Sequence, residues 1–201
     1  MSHDLRDSYG LRMDVDWGAE VADQLDTHWR ERLRPRLEGL TDDEYFWQPV
    51  PGCWTLSRCG ESAAPISFGS GDFTMDYAEP PHDPEPVTTI AWRMAHLTGG
   101  LAALNGRYFG GEETIIDNYR YAGTAGEALQ QFDTEYAAFV DGVRRLGTAG
   151  LGEPQGYPPA FADAPMAKKI LYCNVEIVHH GAEICLLRDL YLHNRLRATA
   201  G

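Results

Sequence analysis

The chain has 201 residues, a size that suits one domain among the ~100–150 residues typical of domains. With 43% hydrophobic and 11% aromatic residues it reads as globular, not disordered, and no run of about 18 apolar residues is present to span a membrane. A net charge of −13 opposes the counterion exchange on which nucleic-acid binding depends, so that partner class is not expected.

The first segment, MSHDLRDSYGLRMD, is polar and lacks an apolar signal core, which points to a soluble cytoplasmic protein. A helix is predicted over about 17–38. Trp17, Val21, Leu25, Trp29, Leu33 and Leu37 recur at four-residue steps on one face, Asp14 or Asp16 can cap the start, and Pro35 should kink or end it. Arg30, Arg32, Arg34 and Arg36 cluster on this helix. They read either as a solvated face paired with Glu31 and Glu38 or as a dock for a small anionic ligand. Thr41 and Glu44 then form a capping box that opens a short helical turn.

Periodicity disappears over 48–85, a stretch punctuated by prolines and glycines. A structureless segment this long inside a domain is expected to be a lid, a binding loop or a disordered excursion, although Trp54 and Phe68 argue that part of it packs down. A second helix, over about 87–109, is apolar nearly all round, as a central helix is, and ends at Gly110 and Gly111. A third, over about 125–147, opens on the capping box of Thr124 and Glu127, carries its stripe from Leu129 to Leu146 and closes at Gly147. The fourth spans about 166–192. Together these predict an all-α, single-domain four-helix bundle over 1–201 with a long irregular loop between helices 1 and 2. The apolar second and fourth helices also leave room for a homodimer.

The four cysteines form no C-x-x-C pair, which removes thiolate zinc spacing. Cys53 and Cys59 lie in the loop and are near enough in sequence to pair, but an unexported chain ordinarily stays reduced. More chemistry is available on the fourth helix. Glu176 and His180 stand four residues apart, so both leave one face a turn apart, the spacing by which a helix gives two ligands to one metal. His96, among apolar neighbours on the second helix, is the candidate third ligand. His179, rotated only ~100° from His180, and His28 on the first helix remain alternatives. Two imidazoles and a carboxylate would leave coordination positions open, as catalytic metals require.

Three stretches, LRPRLEGLTDDEYFW at 33–47, TIAWRMAH at 89–96 and VHHGAEICLLRDLY at 178–191, resemble the DinB-like superfamily. The likeness is closest to its actinobacterial branch, related to the metal-binding domain of mycothiol-dependent maleylpyruvate isomerase, and it covers about 17–191. The resemblance implies an up-down-down-up bundle with one divalent metal, often zinc or nickel. One His on the second helix and two residues four apart on the fourth would hold it. Most members use three His, with the last two positions before a glycine. Here that position is His179, whose partner four residues back, Val175, cannot bind metal. The mycothiol-dependent branch uses Glu and His at this spacing, which Glu176 and His180 fit, and His96 matches the second-helix ligand.

That branch implies a metal-dependent transferase or isomerase acting on a low-molecular-weight thiol such as mycothiol and an electrophilic small molecule. His179 would then support a ligand from behind or transfer protons, Arg30 or Arg34 would pair with a thiol carboxylate, and the 48–85 loop would close as a lid. A metal-dependent hydrolase and a non-enzymatic, stress-related metal-binding bundle are the alternatives.

Overall fold

The computed structural model describes residues 15–80 and 82–199. Helix α1 (Trp17–His28) begins where the Asp16 carboxylate accepts from the amides of Gly18 and Ala19. The helix predicted over 17–38 does not continue as one type. Trp29–Leu33 is π-helical, with the Arg34 amide bonded to the Trp29 carbonyl, and Arg34–Leu37 is a 3-10 turn containing Pro35. A stripe at strict four-residue steps drifts by ~40° per step on a helix of 3.6 residues per turn. The wider π turn takes up that drift, so Leu33 and Leu37 return to the core beside Leu25 and Trp29. Helix α2 (Asp42–Tyr45) follows, with Thr41 accepting from the Glu44 amide.

The chain is not all-α. The segment expected to be an irregular loop holds an antiparallel sheet of β1 (Leu56–Arg58), β2 (Ile66–Phe68) and β3 (Phe73–Tyr77), in the order β1-β3-β2. Met75 on the central strand sits opposite both Leu56 and Phe68, and Leu56 and Met75 are buried. The buried Asp76 carboxylate accepts from the Thr55 amide at 2.9 Å and the Ser62 hydroxyl at 2.7 Å. The Asp76 carbonyl accepts from the Trp92 indole at 2.8 Å, which ties the sheet to the next helix.

That helix, α3 (Ile90–Tyr108), starts at its Thr89 cap, three residues later than its hydrophobic pattern predicts. Helix α4 (Ala125–Gly152) is capped by Thr124. It is broken at Gly147, whose φ of 57° leaves the helical region, and one further turn follows. Gly18 is needed opposite this break, because a Cβ there would lie 2.6 Å from the Gly147 Cα. Helix α5 (Met166–Thr199) extends beyond the predicted 192. The four long helices share one core: α4 packs on α1 and α3, and α5 on α3, α4 and α1. Trp29 stacks on Tyr136 at 4.0 Å and meets Phe132 edge-on, fixing the π-helical segment against α4. Among the described residues no helix is long and apolar enough to cross a membrane.

Candidate metal centre

Antiparallel packing of α3 against α5 brings His96, Glu176 and His180 together. The offset of four residues puts Glu176 and His180 on one face of α5. Gly181, rotated by about 100° from His180, lets the adjoining face of α5 approach the π-helical segment, since a Cβ there would meet the Leu33 side chain at 2.5 Å. On α3, the Trp92 ring lies parallel to the His96 imidazole at 5.2 Å between centroids, while its indole is held by the sheet. The sheet therefore fixes His96 through Trp92.

His96 Nε2 and His180 Nε2 each lie 3.4 Å from the same oxygen of Glu176, and the two imidazoles meet edge to face at 5.0 Å. One donor atom from each of the three residues lies within 4.8 Å of the others. The 3.4 Å spacing is long for a charged hydrogen bond, which is shorter than about 3 Å. It matches the edge of a tetrahedron, about 3.4 Å for metal–ligand distances of about 2.0–2.2 Å. The donor set, two imidazoles and a carboxylate, is one that borderline divalent ions accept, so the residues present fit a divalent cation.

The orientation of His180 is set by Glu183, three residues on. His180 Nδ1 donates to Glu183 Oε2 at 2.7 Å, leaving the Nε2 lone pair for the side facing Glu176 and His96. Arg93 on α3 donates to the same Glu183 oxygen and lies 3.0 Å from His180 Nδ1. The electrostatics keep His180 and Glu176 in ligating form. Burial holds His180 below its ordinary pKa, and the Glu183 bond only partly opposes this. The hydrogen bond from His96, then the His180 charge, hold Glu176 below the usual carboxylate range. Burial pushes Glu183 up, but the bond from His180 and the Arg93 charge outweigh it and leave the carboxyl lowered.

His179 stands mostly exposed, with Nε2 3.3 Å from Glu183 Oε1. His179, His180 and Glu183 form a second trio with donors within 4.8 Å. The Arg93 guanidinium on that carboxylate makes it a poor place for a second cation. His28 lies at the end of α1 and belongs to neither trio. Arg34 is held bidentately by Asp133 at 2.7 and 3.0 Å, and Arg30 is paired with Asp26 at 3.1 Å. Neither reaches the trio or the cavity beside it, because acidic neighbours on α1 and α4 engage them first. Cys53 and Cys59 are free thiols.

Arg93 and Glu183 escaped sequence reasoning, although their spacing carried a signal. Glu183 is three residues from His180, and Arg93 three from His96, so each shares a helix face with a candidate ligand.

Beside the trio lies a cavity of about 240 Å³, lined among others by His96, Glu176, Leu101, Tyr172 and Cys173. Its lining contains nothing from 48–85, so that segment does not form its wall. Burial pushes the Cys173 thiol up to about 11, which keeps it protonated and poorly nucleophilic at neutral pH. Burial, followed by the Glu176 charge, likewise raises the Tyr172 phenol.

Comparison with known families gives one match. A family model of the DinB superfamily covers residues 24–184 of this chain. No curated protein and no solved structure matches it.

Proposed function

The chain belongs to the DinB superfamily, and we propose that it holds one divalent metal ion, zinc or nickel, with His96, Glu176 and His180, and uses it in thiol-dependent chemistry on a small electrophile. The observation that carries this reading is the pair of 3.4 Å separations from Glu176 to two imidazoles on different helices. A divalent ion bound there would supply Lewis acidity sufficient to deprotonate a thiol at neutral pH.

The chain's own groups support an external nucleophile. Cys173, the thiol in the cavity wall, is held protonated. Of the carboxylates nearby, Glu176 faces both ligand imidazoles, and Glu183 is occupied by Arg93 and His180. Among the described residues neither nearby carboxylate is thus left free to take a proton from water, which favours a low-molecular-weight thiol of the mycothiol type over hydrolysis. The roles left to the chain are to orient His96 through Trp92, to orient His180 through Glu183, and to exclude water with the apolar wall of the cavity.

Cobalt(II) loading followed by titration with mycothiol tests both parts. A d–d spectrum of low-coordinate cobalt that is lost in His96→Ala, with a sulfur-to-cobalt charge-transfer band on adding thiol, is expected. Cobalt binding without the charge-transfer band would remove the thiol reading, and no cobalt binding would remove the metal reading.

A further inference from the structure

The cavity between α3 and α5 has two unlike ends. His96 and Glu176 stand at one; Arg107 and Lys169 stand at the other, because the helices pass each other in opposite directions. Lys169 and Glu176 are separated by a rise of about 10 Å along α5. The wall between is apolar, with Leu97, Leu101, Leu104 and Ile177 all buried.

Among the described residues both cations lack the carboxylate partner that six arginines of the chain have. The chain has 17 basic residues against 30 acidic ones, and Arg30, Arg34, Arg36, Arg93, Arg144 and Arg188 are each paired with a carboxylate. Among the described residues, Arg107 and Lys169 have no carboxylate within ion-pair distance. Arg107 lies over the Tyr157 ring at 4.1 Å instead. In so acidic a protein, two uncompensated cations at the end of an apolar cavity mark a place for an anion brought from outside.

The cavity is also held open from within α3. Gly100 lies one turn beyond His96 and lines the cavity, and a Cβ built on it meets nothing within 4 Å. A glycine costs a helix roughly 1 kcal/mol relative to alanine. Packing against protein does not require one here; the space it leaves belongs to the cavity.

We propose that this cavity binds a compact amphiphilic carboxylate, with its charge between Arg107 and Lys169 and its apolar body along Leu97, Leu101 and Leu104. The far end of the ligand lies beside His96 and Glu176; only the role of that end rests on the metal reading above. The volume of about 240 Å³ lies below the ~300–1,000 Å³ of sites for drug-sized ligands, which selects a small, single-ring or short-chain acid.

Calorimetric titration of zinc-loaded and metal-free protein with 3-phenylpropanoate, and with its uncharged amide, tests this. The acid is expected to bind at least about tenfold tighter than the amide. Arg107→Gln and Lys169→Gln are each expected to weaken it by about five- to tenfold. Gly100→Leu, which keeps a good helix former at that position, is expected to abolish acid binding while its circular dichroism and zinc affinity stay as in the parent chain. Equal binding of acid and amide, or acid binding undiminished in Gly100→Leu, would overturn the proposal. Zinc binding with no acid binding would overturn this inference and leave the metal reading standing. Acid binding with charge discrimination in a protein that takes up no zinc would do the reverse.

Discussion

At Arg188, α5 makes a closed ion pair; two to three turns earlier, at His180 and Glu176, it leaves a cluster of similar residue types open. Arg188 meets Glu44 of α2 through Nε at 2.7 Å and Nη2 at 3.2 Å, and its remaining donors reach the carbonyls of Arg36 and Glu38. Every charge there has a partner at hydrogen-bond distance, and both side chains are largely buried. The Glu176 carboxylate instead faces two imidazoles at 3.4 Å, next to a cavity. Burial alone therefore does not mark a functional cluster in this chain. What separates the two is whether the donors satisfy one another or point at a common centre.

The comparison can be broken at either cluster. The largest effect on stability belongs to the closed pair. Arg188→Ala leaves the Glu44 charge buried and unpaired and is expected to cost about 3–5 kcal/mol in urea unfolding. Metal uptake by the fraction that folds should not change. A loss below about 1 kcal/mol would show that the pair is not the structural lock described. Next in size is Glu183→Gln, which removes the acceptor that orients His180. It is expected to lower zinc affinity about 10- to 100-fold with a smaller change in stability. Unchanged affinity would mean that the Nδ1 bond does not set the ligand.

The open cluster should also be sensitive to acid. His180 and Glu176 both have folded-state pKa values below their ordinary ones, so the unfolded chain binds more protons and stability falls as the solution is made more acid. The His180 contribution is present above its ordinary 6.5 and is lost as pH falls through its lower folded value. The Glu176 contribution is present above 4.5 and is lost below it. Thermal melts of metal-free protein from neutral to acid pH should show both stages, and His180→Gln should remove only the upper one. Retention of the upper stage in that variant would assign it elsewhere. The smallest effect is expected from His179→Ala. The side chain is exposed and its contact with Glu183 is peripheral, so zinc content should be unchanged and stability should shift by no more than about 0.5 kcal/mol.

The helices and the candidate ligand trio were legible in the sequence to different degrees, for physical reasons that individual residues show. Thr41, Thr124 and Gly147 mark boundaries through local hydrogen bonding and φ, and each acts as its residue type predicts. The four-residue stripe from Trp17 to Leu37 was visible as a helix. Its strict period also carried the signal of a widened turn, which an assumption of uniform α-helix hides. The sheet was missed because two of its strands have only three residues, embedded among prolines and glycines. Even so, Phe73-Thr-Met-Asp-Tyr77 alternates apolar and polar as a strand does. Glu176 and His180 could be placed on one face from spacing alone, whereas the approach of His96 required the crossing of α3 and α5. The sequence pairs the arginines with Glu31 and Glu38, whereas Arg30 pairs with Asp26, one turn back on the same helix, and Arg34 with Asp133, which comes near only in the folded chain. Arg107 and Lys169 drew no attention because residues distant in sequence become neighbours only across that same crossing.

The central claim is that three side chains on two helices meet at one metal. Metal analysis of purified protein beside His96→Ala and His180→Ala, each checked for fold by circular dichroism, tests it most directly. The expected result is one divalent ion per chain in the parent and almost none in either folded variant. Stoichiometric metal retained in both variants, or none taken up by the parent after incubation with zinc and nickel, would contradict it.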